Sequence, residues 1–176
     1  MTRAARIVLL AAVAAAFGTG RGSPQAAGKE KPDITSRNGL RVGSVSIPWG
    51  NPAPVDLKGA DSVQAGPQAC AFNATYDMSN LGGVATSPAF TNRLRVDGTT
   101  VLAVNSGLTL GPYEVHSITT APYLPVGEHT IELSLDDDNT VAESNENNNR
   151  FKATYRLKAP CGTAPTPPAA GTGRRA

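Results

Sequence analysis

Aromatic side chains are scarce: one tryptophan, four tyrosines and four phenylalanines in 176 residues. Most of them sit at inward-facing positions of the pattern described below, which leaves little for an exposed row of rings stacking on sugars. Charge of one sign is lacking too. Sixteen Lys and Arg against fourteen Asp and Glu give a net charge of +2 and a pI near 8.7, too mild and too dispersed for a nucleic-acid surface. The chain has only two histidines, His116 and His129, in different strand segments and without an obvious nucleophile partner. G-x-S-x-G, H-E-x-x-H and phosphate-loop motifs are absent. The acidic residues crowd into one loop instead of pairing across a cleft. The expectation is a protein that is not an enzyme.

Long apolar runs are missing as well. A membrane-spanning helix needs roughly 20 such residues. The longest run, IVLLAAVAAAF at residues 7–17, follows Arg3 and Arg6 and precedes small residues. That is the pattern of a secretory signal, placed at residues 1–18 with its cut site open; an uncleaved anchor is the alternative. The expected location is secreted, extracellular or at the cell surface, with no stable membrane span. Export gives the two cysteines a meaning. Outside a reducing cytosol an even pair is normally a disulfide, so Cys70 and Cys161 are expected to bond, free thiols being the alternative. No histidine has the spacing to join them in a metal site.

What is present is an alternation of period two. In CAFNATYDM the apolar set is Cys70, Phe72, Ala74, Tyr76 and Met78; in FTNRLRV it is Phe90, Leu94 and Val96. HTIELSL contributes Ile131, Leu133 and Leu135, and RFKATYRL contributes Phe151, Ala153, Tyr155 and Leu157. Weaker strands are read at LRVGSVSI, VDL, TTVLAV and YEVHSITT, with Gly, Pro, Asn and Asp in every gap. No amphipathic helix is visible. The fold class is all-β, an antiparallel sandwich with one solvated face per sheet. Residues 19–32 read as a linker, 33–161 as the folded domain and 162–176 as a flexible Pro, Ala and Gly tail. Trp49, in the proline-rich stretch before Cys70, is expected to cover one end of the core, a sugar platform being the alternative. Arg93, Arg95, Lys152 and Arg156 alternate with Glu128 and Glu132 across neighbouring strands, which reads as an ion ladder rather than a polysaccharide site.

The densest polar stretch is DDDNTVAESNENNNRF, residues 136–151, with five acidic side chains and five asparagines. Asp136, Asp138, Asn139, Glu143 and Glu146 offer oxygen only, the donor set of calcium, although the spacing is not that of an EF-hand. The competing reading is a sharply bent loop whose Asp and Asn side chains satisfy local backbone groups. In that reading Asn148 and Asn149 fix the start of the last strand and Val141 tucks back as an apolar plug. Calcium is thus a candidate cofactor here and none is certain.

The order YDMSNLGGVATSPAFTNRLRVDG, then L-x-L-G-P, then LPVGEHTIELSLDDDNTVAESNENNN resembles the CARDB domain, a cell-adhesion-related module. The closing motif of that family maps onto Asp136, Asn139, Val141, Glu143, Glu146, Asn148 and Asn149. The resemblance runs over roughly residues 33–157. It implies an Ig-like sandwich of about seven strands, an extracellular setting and a non-catalytic binding or adhesion role toward an unidentified protein or glycan. In the Ig order Cys70 and Cys161 fall at one end, together with His129. The loops 79–89 and 136–149 fall at the other, the end that related sandwiches use for recognition. Rival functions are a carbohydrate-binding accessory protein, a structural spacer, or an inhibitor presenting the proline-rich loop at 48–54.

Overall fold

The computed structural model describes residues 31–66 and 68–162; the expected leader, most of the linker and nearly all of the tail lie outside them. The four strongly alternating segments become the longest core strands because alternate residues must face one apolar layer. The chain runs through β1 (Ile34–Thr35), β2 (Leu40–Val42), β3 (Val45–Ile47), β4 (Val55–Leu57), β5 (Val63–Gly66), β6 (Ala69–Ala71) and β7 (Ala74–Asn80). It continues through β8 (Phe90–Val96), β9 (Thr100–Leu108), β10 (Val115–Thr120), β11 (Tyr123–Pro125), β12 (Gly127–Ser134) and β13 (Arg150–Leu157).

One sheet is built on β7, which pairs with β10 along one side and with β1 and β2 along the other; β3 lies outside β2. The second sheet runs β4-β13-β12-β8-β9, all antiparallel except β4 beside β13. At the disulfide end β11, β6 and β5 form a small third sheet. This is the expected Ig-like sandwich, several of whose strands are broken in two. Ile34, Leu40, Tyr76 and Met78 from one sheet and Phe90, Leu94, Ile131, Leu133 and Tyr155 from the other share a single buried core.

One local reading changes. LRVGSVSI is a hairpin rather than one strand: Val42 pairs with Val45, and Gly43, at a φ of +56°, makes the two-residue turn, the backbone state a tight hairpin demands. The proline-rich stretch 48–54 is strapped to β13. The Gly50 N–H donates to Lys152 O at 2.7 Å, and the Asn51 side chain bonds both the N–H and C=O of Thr154 at 2.8 Å. Trp49 does cover the core edge, against Phe151 at 5.5 Å, with its indole N–H on Ser36 Oγ.

Cys70 and Cys161 are disulfide-bonded, with Cα atoms 5.6 Å apart. His129 sits at the same end. Its Nδ1 meets Asp97 at 2.7 Å and its Nε2 meets Val126 O at 3.2 Å, so both ring nitrogens serve the corner. The ion ladder is present on the exposed face: Lys152 meets Glu132 at 2.9 Å and Arg156 meets Glu128 at 3.0 Å. Arg93 and Arg95 depart from it and reach into the acidic loop instead.

Candidate functional site at the loop end

Three connections meet at the end opposite the disulfide: 81–89, 109–114 and 135–149. Asn80, the last residue of β7, knots two of them to the N-terminal segment. Its Oδ1 accepts from Asp33 N–H at 3.0 Å and Gly82 N–H at 2.9 Å; its Nδ2 donates to Val84 O at 2.7 Å and Gly111 O at 2.9 Å. All four positions of a buried amide are thereby met, as burial requires. Backbone bonds from Leu81 to Asp33 O, Thr86 to Leu110 O and Tyr113 to Gly82 O complete the knot. Gly82 is obligatory for close approach: a Cβ there would stand 2.1 Å from Lys31 O.

The acidic loop divides into a tip and a root. At the tip Asp136 is buried at a φ of +42° and caps the turn itself. Its Oδ1 accepts from the N–H and hydroxyl of Thr140 at 3.0 and 2.9 Å, and its Oδ2 from Val141 N–H at 2.8 Å. Asn139, also in the left-handed region at +51°, donates its N–H back to Asp136 O. Asp137 pairs with Arg95 at 2.7 Å and with Arg93, and the guanidinium of Arg95 foremost holds its carboxyl well below the usual carboxylate range. Asp138 shares the same Arg93 Nη1 at 2.6 Å. Val141 is buried as the expected plug.

At the root Glu143 is buried against the first strand. Its Oε2 accepts the Ile34 N–H and its Oε1 accepts Asn149 Nδ2 at 2.5 Å. Burial pushes this carboxyl up to about 7, against those two bonds, with Glu146 and Asp136 adding to the rise. The exposed Glu146 accepts the Glu143 N–H at 2.8 Å. Asn148 donates Nδ2 to Asp33 Oδ1 at 2.8 Å, and its carbonyl accepts the Thr35 hydroxyl at 3.2 Å. Asn149 O accepts Leu135 N–H, fixing where β13 begins.

Of the five oxygen donors named from the sequence, Asp136, Glu143 and Glu146 thus serve backbone donors and Asp138 serves Arg93. Among the described residues no group of three or more His, Cys, Asp or Glu is placed to hold a metal ion. Sequence reasoning missed Asn80 and Asn92. Asn92 points into the core between Phe90 and Leu94, fully buried, and its Oδ1 accepts the Asp136 N–H. The signal for both was in the alternation, since each is an asparagine at an inward position.

The rim of this end carries exposed apolar groups. Tyr113 is 61% exposed, Val84 45% and Val115 65%. Tyr113 is held at a φ of +57°, a backbone state that bulky residues rarely adopt.

A family model for CARDB matches residues 59–153. The crystal structure of the CARDB domain of the PF1109 protein from Pyrococcus furiosus, in complex with di-metal ions, is 25% identical with a TM-score of 0.53. That match covers 74% of this chain and 92% of that one. The solution NMR structure of the same domain is 24% identical with a TM-score of 0.50, over 73% of this chain and 96% of that one. No curated protein matches.

Proposed function

Because the chain belongs to the CARDB family, we propose that it is a secreted, non-catalytic binding module of the adhesion type, and that the loop end is the face that meets its partner. One observation carries the reading: Tyr113 and Val84 stand out to solvent on loops that Asn80 holds fixed, beside Val115 at the start of β10. A ring presented on a rigid backbone loses little entropy on docking and is the usual anchor of an interface. The disulfide supports export, because such bonds persist in oxidising compartments. Among the described residues no helix is long and apolar enough to cross a membrane.

The rivals have less support. A sugar platform needs neighbouring rings, whereas the exposed Tyr113 and Tyr123 belong to opposite ends, Tyr123 pairing with Ala71 beside the disulfide. The 48–54 segment is strapped to β13 through Gly50 and Asn51, which argues against a loop that projects into a protease. The reading is tested with the labelled full chain on the surface of the cells that produce it. Tyr113→Asn keeps the left-handed backbone and removes the ring. It is expected to weaken binding about tenfold, the effect of losing one modest anchor. Binding unchanged in Tyr113→Asn combined with Val84→Ser overturns the placement.

A further inference from the structure

The metal ions of the Pyrococcus domain pose a question of fit that this chain answers in two ways. The tip does not fit. Both Asp136 oxygens and Asp138 are met by donors on the chain itself, and no buried side-chain oxygen there is left without a donor among the described residues. The root differs. Asn148 and Asn149 each turn Nδ2 toward a carboxylate, Asp33 and Glu143 respectively, which fixes the amide orientation. Each Oδ1 is then left buried with no hydrogen-bond partner among the described residues. Asn149 is itself only 7% exposed. A buried carbonyl oxygen without a donor is costly and calls for a donor or a cation. Glu143, whose oxygens accept the Ile34 N–H and Asn149 Nδ2, makes no ion pair with any described Lys, Arg or His.

We propose that the root of the acidic loop holds one calcium-class cation, using Asp33, Glu143 and the side-chain oxygens of Asn148 and Asn149. All the donors are hard oxygens, with two carboxylates and two amides. Calcium takes such mixed sets, whereas zinc and copper prefer nitrogen and sulfur. The site joins residues more than a hundred positions apart: Asp33 leads into β1, and Glu143, Asn148 and Asn149 lead into β13. Metal there ties the N-terminal segment to the acidic loop and stiffens the loop end. Of the four residues, Asp33 lies outside the span matched by the family model, residues 59–153. The inference stands apart from the partner-binding reading, since it concerns only the folded chain and the ion.

The test is calcium titration of the oxidised full chain, first stripped with chelator, by calorimetry and by thermal unfolding. One calcium per chain is expected, and at a hundredfold excess over Kd the Tm should rise by about 10 °C. Glu143→Gln should lower the affinity at least about tenfold, the loss of one charged ligand, and Asp138→Ala should leave it unchanged. If Glu143→Gln does not fold, Asn148→Ala, a half-buried side chain, replaces it with the same expectation. Neither heat nor a Tm shift at about 10 mM calcium, above the range of extracellular calcium modules, overturns the proposal and leaves the two amide oxygens to water. Binding lost in Asp138→Ala but kept in Glu143→Gln and Asn148→Ala overturns it equally, because the ion then sits at the tip.

Discussion

Asp136→Ala is the sharpest probe of the tip as a self-capped turn. The wild-type carboxylate receives the Thr140 N–H and hydroxyl and the Val141 N–H, all within 3.0 Å. Alanine removes all three acceptor contacts. Val141 is buried, and an orphaned buried N–H costs about 1–3 kcal/mol. Alanine must also hold a φ of +42°, at a cost of about 1 kcal/mol or more for a residue with no side-chain bond to offset it. The expected loss is about 3–4 kcal/mol, a large share of the roughly 5–15 kcal/mol of a domain. Asp136→Asn keeps one acceptor oxygen and tolerates the left-handed region, so it should cost only about 1–2 kcal/mol. The assay is urea unfolding of the oxidised chain in excess chelator, which removes any cation effect, and the slope should stay constant across variants. If alanine and asparagine cost the same, or if alanine costs less than about 1 kcal/mol, the capping argument is refuted.

Gly82→Ala would set its Cβ 2.1 Å from Lys31 O. It should push the N-terminal segment off its seat, destabilise by about 2 kcal/mol and expose the chain before Ile34 to limited proteolysis; unchanged cleavage kinetics would contradict this. Asp137, whose carboxyl is held below the ordinary range chiefly by Arg95, sets a pH dependence. Because the folded-state pKa is depressed, its contribution is complete above the unfolded value of about 4 and fades as pH falls from there through the folded value. The gap in Tm between wild type and Asp137→Asn should therefore be constant from neutral pH down to about pH 5 and narrow below about pH 4. A gap that widens in acid would reverse the assignment.

The strands that form the core were legible because a half-buried strand must alternate. Phe72, Ala74, Tyr76 and Met78 are all buried, as are Leu94 and Val96 and, on the strands beside them in the second sheet, Ile131, Leu133, Ala153, Tyr155 and Leu157. The β2–β3 hairpin was not, since its turn occupies two positions and leaves the apolar spacing on either side intact. The length of β9 was hidden for the opposite reason: it lies at a sheet edge with half or more of its residues exposed, so burial imposes no pattern on it. In the acidic loop the residue types were legible and their partners were not. Spacing places Asp136, Asp138 and Glu143 in one stretch, but only the fold shows that Arg93 and Arg95 stand under the tip and that Ile34 N–H stands beside Glu143. The caps on Asp136 are local, four and five positions on, but the bonds from Arg93, Arg95 and Ile34 come from residues 40 to 110 positions away.

This arrangement explains why so polar a loop accompanies an ordinary apolar core. Hydrophobic contact is non-directional and holds the two sheets together without specifying where a connection of a dozen residues must go. Side chain to backbone bonds are directional and specify it. Asn80 and Asn92 carry the inward phase of β7 and β8 to the end of the core, where each replaces an apolar contact with bonds to named backbone groups. The cost of burying an amide is accepted only where all its positions are met, and at Asn80 they are. At Asn148 and Asn149 one position each is not met by the described chain. By the same reasoning the proposed cation at the root would complete those two residues and stand against the Glu143 carboxylate, which is what the calcium titration tests.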